Sequence, residues 1–122
     1  MDEPPSTRPL IGVVGPCGSG KSTLIEGLER HGHTCRHIAQ EHSYVQAMWQ
    51  IIARPDVLIF LQASFPVSTA RRKLDWREKD YQEQSRRLSH ARAHAHIIID
   101  TDDLTPEQVL QVALDFLKDH FP

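Results

Sequence analysis

Short apolar runs alternate along the chain with stretches in which apolar residues recur every three or four positions. Leu10–Val14 (LIGVV) is an apolar run that ends at a glycine, the pattern of a buried parallel strand. From about Lys21, Leu24, Ile25 and Leu28 fall on one helical face while Glu26, Glu29 and Arg30 lie elsewhere, and Gly32 is a C-terminal stop. Residues 34–39 read as a second strand, weakened by Arg36 and His37. Residues 43–53 predict an amphipathic helix: Tyr44, Met48 and Ile52 repeat at four-residue intervals beside Val45 and Trp49, and Pro55 ends it.

Residues 57–61 (VLIFL) carry the strongest strand signal. A helix over 66–74 and a long, very polar one over 76–95 follow, and 96–99 predicts a last buried strand. Thr105, Pro106 and Gln108 then open a helix with a threonine cap, a proline in the first turn and a capping-box glutamine. Its apolar face is Val109, Val112, Ala113, Phe116 and Leu117. Alternating strands and helices predict a parallel sheet covered by helices, a three-layer α/β/α sandwich of about four strands in the order 2-1-3-4.

At 122 residues the chain suits one domain, read here as residues 9–122 behind a disordered, proline-rich lead-in over 1–8. A net charge of -2 gives no reason to expect a nucleic-acid or membrane surface. No stretch approaches the ~20 apolar residues of a membrane span, and residues 1–9 lack the pattern of a signal peptide. Two cysteines, Cys17 and Cys35, read as reduced thiols, and the chain as soluble and cytoplasmic, a monomer or homodimer.

The chemistry concentrates at 15–23 (GPCGSGKST), which fits G-x-x-x-x-G-K-S/T. Gly15, Gly18 and Gly20 allow backbone angles closed to other residues and close approach to a ligand. With Pro16, Cys17, Ser19 and Thr23 they form a loop whose amides, backed by the positive end of the next helix, wrap phosphates. Lys21 reaches the outer phosphates, and the Ser22 hydroxyl ligates Mg²⁺. Chance produces this pattern on the order of once in a few hundred chains of this length, and both the preceding strand and the following helix are present. Cys17 is either a loop thiol sensitive to oxidation or a residue small enough to fit.

This motif, the phrase at 55–64 (PDVLIFLQAS), the arginine-bearing segment after it and the phrase at 97–102 (IIIDTD) resemble P-loop small-molecule kinases, of the nucleoside, nucleotide and shikimate kinds. The resemblance covers most of the chain from Leu10 onward and implies ATP with Mg²⁺ as the ligands and a small-molecule acceptor. It implies a phosphoryl-stabilising role for Lys21 and a base site around 101–104. It also implies an arginine lid, the place occupied here by Arg71, Arg72, Lys73 and Arg77, with Arg86, Arg87 and Arg92 further along. Mixed acidic residues leave a solvated helix as the alternative for these cations.

Two departures change the picture. Where many such proteins place a magnesium-linked aspartate, this chain has Gln62, and Glu41 resembles the glutamate that nucleoside kinases use instead. Glu41 is thus expected as magnesium partner or general base, or else as an exposed helix cap. The segment between the second and third strands is also too short for an acceptor-binding insertion. Transfer to water or a non-catalytic nucleotide-binding module are therefore the alternatives. No Asn-Lys-x-Asp phrase is present, which favours ATP over GTP. His90 and His94 share a helix face, but without further ligands nearby they read as exposed polar residues, as do His31, His33 and His37.

Overall fold

In the computed structural model, residues 9–72 and 77–121 are described; the expected lead-in over 1–8 and Lys73 lie outside them. The elements are β1 (Leu10–Val14), α1 (Lys21–Arg30), β2 (Thr34–His37), β3 (Val57–Gln62), α2 (Phe65–Arg72), α3 (Glu78–His94), β4 (Ile97–Asp100) and α4 (Pro106–His120). All three strand pairings are parallel, in the order β2-β1-β3-β4. The sheet places Val13 opposite His37 on one side and Ile59 on the other, so the three C-terminal strand ends that precede 15–20, 38–42 and 63–64 lie together. No helix among the described residues is long and apolar enough to cross a membrane.

The period-two pattern of the strands sorts the core into two clusters. Ile11, Val13, Val57, Ile59 and Leu61 pack with Leu24 and Leu28 of α1 and Val109, Ala113 and Leu117 of α4. Val14, Leu58 and Phe60, from the alternate positions, pack with Trp49 and with Leu88 and Ala91 of α3. Helices α1, α3 and α4 thereby cover apolar strand surface whose removal from water stabilises the fold by roughly 25 cal/mol per Å².

Helix ends follow the local sequence. Gly32 adopts φ 87°, its N–H bonds Glu29 O at 3.0 Å and the His33 N–H bonds Leu28 O at 3.1 Å, the paired closure that a left-handed residue after a helix permits. At α4 the Gln108 N–H donates to Thr105 Oγ1 at 3.1 Å and the Thr105 N–H to Gln108 Oε1 at 2.8 Å, as expected of a capping box.

The helix expected over 43–53 is not there. A 3-10 turn spans Gln40–His42 and a single π-helical turn Trp49–Ala53, leaving Tyr44, Val45, Ile51 and Ile52 exposed. Side chains take the backbone partners that a helix would need. Gln40 Oε1 accepts the Trp49 N–H at 2.8 Å, Gln40 Nε2 donates to Val45 O at 2.8 Å, and the Val45 N–H donates to Ser43 Oγ at 3.1 Å. Trp49 is buried nonetheless, as a core position should be. The last strand is also less buried than its sequence implies: β4 is an edge, and Ile98 is 42% exposed.

Candidate functional site

The loop between β1 and α1 is shaped by two residues in the left-handed region, Gly18 at φ 80° and Gly20 at φ 98°. A Cβ on Gly18 would lie 2.5 Å from Ser68 O, so the loop packs directly on the α2 backbone. Gly20 occupies the N-cap of α1 and offers no side-chain cap, and nothing lies within 4 Å of where its Cβ would be. The first turn of α1 therefore presents its uncapped end to open space, where orphan N–H groups and the helix dipole favour an anion.

Lys21, at the start of that helix, is buried. Its Nζ donates to Gly15 O at 2.7 Å and Pro16 O at 3.1 Å and pairs with Glu41 Oε2 at 2.9 Å. Glu41 comes from the 3-10 turn after β2 and is 5% exposed, so the solvent-exposed cap expected as its alternative role is excluded by burial. Its Oε1 is buried and has no hydrogen-bond partner among the described residues. The Arg87 Nη1 reaches Glu41 O at 3.4 Å, tying the turn to α3.

These groups line a cleft of about 470 Å³, within the size range of small-ligand pockets. Cys17, Gly18, Ser19, Gly20, Lys21, Ser22, Thr23, Glu41 and Arg71 all line it; Gly15 and Pro16 lie beneath, as the acceptors of Lys21. Ser22 and Thr23 are exposed within it. Thr101 and Leu104, at the end of β4, complete the wall. Arg71 is held there by Thr101: Nη1 donates to Oγ1 at 2.8 Å and Nη2 to the carbonyl oxygen.

Other expected cations sit elsewhere. Arg77 is the N-cap residue of α3, its N–H bonded to Asp80 Oδ2 at 2.9 Å, and it does not line the cleft. Arg86 pairs with Glu83 on the exposed surface of α3. Arg92 donates to Gln62 Oε1 at 3.3 Å, outside the cleft.

The structure adds residues that sequence reasoning passed over. Gln84 on α3 is buried: its Oε1 accepts the Cys17 N–H at 3.1 Å and its Nε2 donates to Cys17 Sγ at 3.2 Å. It shares the buried stripe of Leu88 and Ala91, so its spacing was the available signal. His42 places Nε2 3.8 Å from both Cys17 Sγ and Glu41 Oε2. Among the other histidines, His31, His37 and His94 are exposed, as expected, and His37 also lines the cleft. His90 Nδ1 accepts the Trp49 Nε1–H at 3.0 Å and its ring stacks on His94, while His96 Nδ1 accepts the Leu58 N–H at 2.9 Å.

Two titrations are displaced. Burial, reinforced by Glu29, pushes the Cys35 thiol up to about 11. Burial also raises the Tyr81 phenol, with Asp102 and Asp100 adding to it and the Ser85 hydrogen bond opposing. Neither group lines the cleft. In comparisons with known proteins, no family model matches the chain and no curated protein matches it.

Proposed function

We propose that the chain is an ATP-binding P-loop protein, a three-layer α/β/α sandwich acting as a compact kinase-like phosphotransferase on a small molecule. One observation carries this reading: a buried lysine ammonium at the uncapped first turn of α1, held between the carbonyls of a glycine loop and Glu41, lines a ligand-sized cleft. The two apolar clusters on alternate strand positions support the layered form.

Phosphate oxygens would meet the amides at the start of α1, and the Lys21 ammonium would exchange its loop carbonyls for them. Arg71, already inside the cleft on Thr101, would place positive charge where the transferring group develops negative charge. Glu41 would orient or deprotonate the attacking hydroxyl. Ser22 and Glu41 suit Mg²⁺, since Ser22 is exposed in the cleft and Glu41 has a buried oxygen without a partner among the described residues. When bound, that ion would shield the phosphate charge.

A nucleotide-binding module, either hydrolysing slowly or without turnover, is the second reading. The connection over 38–56 favours it, because only two single turns form between β2 and β3 and no acceptor-binding lobe is built there.

Calorimetric titration with ATP and GTP in Mg²⁺, alongside phosphate release, tests the proposal on the intact chain. ATP should bind in preference to GTP, and Lys21→Ala should weaken binding by about 10- to 100-fold, the worth of hydrogen bonds to a charged group. Lys21→Arg, which keeps the charge near Glu41, guards against mere unfolding. Turnover that depends on Lys21 supports transfer; binding without release moves the assignment to the second reading. Absence of nucleotide binding by a folded wild-type chain overturns both.

A further inference from the structure

We infer that Cys17, Glu41 and His42 form a site for a soft divalent cation, with Zn²⁺ the best fit, at the edge of the cleft. A thiol sulfur, a carboxylate oxygen and an imidazole nitrogen from these residues all lie within 4.8 Å of one another. Cys17 Sγ and His42 Nε2 are 3.8 Å apart, as are His42 Nε2 and Glu41 Oε2. A tetrahedral cation bonded at about 2.0–2.3 Å holds its ligand atoms about 3.3–3.8 Å apart, so small side-chain rotations close the set.

The donor chemistry selects the ion. Thiolate and imidazole favour zinc and its neighbours over Mg²⁺, which takes hard oxygen ligands. Three protein ligands facing a cleft leave a fourth position for water or a ligand oxygen, the arrangement of an open zinc site.

Two independent features point the same way. Glu41 is 5% exposed, and its Oε1 is a buried acceptor without a partner among the described residues, beside a ligand set that a cation would complete. Cys17 is fixed by Gln84, which binds both its backbone N–H and, through Nε2, its sulfur. Hydrogen bonds of that kind orient metal-bound sulfur. On binding, the metal–sulfur bond replaces the S–H bond and the proton leaves to solvent. The Cys17 thiolate and the Glu41 carboxylate then balance the two positive charges of the ion, with the Lys21 ammonium beside them.

Glu41 is shared with the magnesium assignment above, so the test uses Co²⁺ as the probe and contains no nucleotide. Failure of nucleotide binding therefore leaves it intact, and the converse. The full chain under reducing conditions should bind one Co²⁺, with a thiolate-to-cobalt charge-transfer band in the near ultraviolet and tetrahedral visible bands that Zn²⁺ abolishes. Cys17→Ser should remove the charge-transfer band, and His42→Ala should weaken Co²⁺ binding at least ~10-fold. Cys35→Ser should leave the spectrum unchanged. A wild-type spectrum without the charge-transfer band overturns the site, as does a band that persists in Cys17→Ser or vanishes in Cys35→Ser.

Discussion

The Lys21 ammonium lies 2.9 Å from the Glu41 carboxylate, both side chains almost fully buried, and the same lysine donates to two carbonyls of its own loop. Its positive charge is thus fully partnered, whereas Glu41 keeps one oxygen with no hydrogen-bond partner among the described residues. Removing one member of a buried pair leaves an uncompensated charge, at a cost of about 3–5 kcal/mol. The two partners are not equivalent, however. Lys21→Met should destabilise the chain more than Glu41→Gln, because Lys21 retains its carbonyls when Glu41 is neutralised. The double variant should be more stable than Lys21→Met alone. Urea denaturation of the three variants measures this, and equal losses for both single changes would contradict it.

For catalysis, Glu41→Gln should abolish turnover while sparing nucleotide binding. The amide keeps the shape but neither takes a proton nor carries charge. Phosphate release and calorimetry on this variant decide the matter; unchanged turnover would remove Glu41 from the mechanism.

Gly18 and Gly20 are both left-handed, yet substitution should separate them. Gly20→Ala meets no neighbour and costs only the conformational strain, about 1–2 kcal/mol. Gly18→Ala meets that strain and a backbone oxygen at 2.5 Å, so the loop must leave α2. Denaturation midpoints should rank wild type above Gly20→Ala above Gly18→Ala, and a reversed order would refute the packing of the loop on Ser68.

Gln40→Ala should free the segment that follows it. The change strands the buried Trp49 N–H, a loss of about 1–3 kcal/mol for a buried unpaired group, and takes one of several donors from Val45 O. Limited proteolysis should then cut within 43–53 faster than in the wild type, and equal rates would show that other contacts hold the segment.

With its titration raised from 9.0 to about 11, Cys35 remains a protonated thiol at pH 8 in the folded chain. Ionisation is easier in the unfolded state, so the stability tied to this proton is intact below pH 9 and is lost as pH rises toward 11. Iodoacetamide at pH 8 should label Cys35 much more slowly in the folded chain than in denaturant, as read by mass spectrometry. Equal labelling rates would show that the thiol is not buried.

The strands themselves, the loop at 15–20 and the two helix caps at Gly32 and Thr105 were legible in the sequence because each is written in contiguous residues, whereas the sheet order followed only from the rules that govern crossover connections. An apolar run at 57–61 specifies a strand by itself, and Thr105 with Gln108 closes a helix end without help from elsewhere. The same local reasoning misplaced 43–53. Its four-residue period is real, but the side chain of Gln40 offered the backbone a different set of partners. Likewise nothing local distinguishes Arg71, which reaches the cleft, from Arg77, which caps α3.

By itself, then, the sequence determined where the strands and most helices form and where the glycine-rich loop stands, since periodicity and glycine placement act over a few neighbouring residues. Only the tertiary structure decided what surrounds that loop. Parallel pairing of β1 with β2 carries the turn holding Glu41 and His42 to the start of α1, and Gln84 reaches Cys17 from the far side of the chain. Such meetings depend on burial and hydrogen bonds between distant segments, which are settled only when the sheet assembles and the helices close over it.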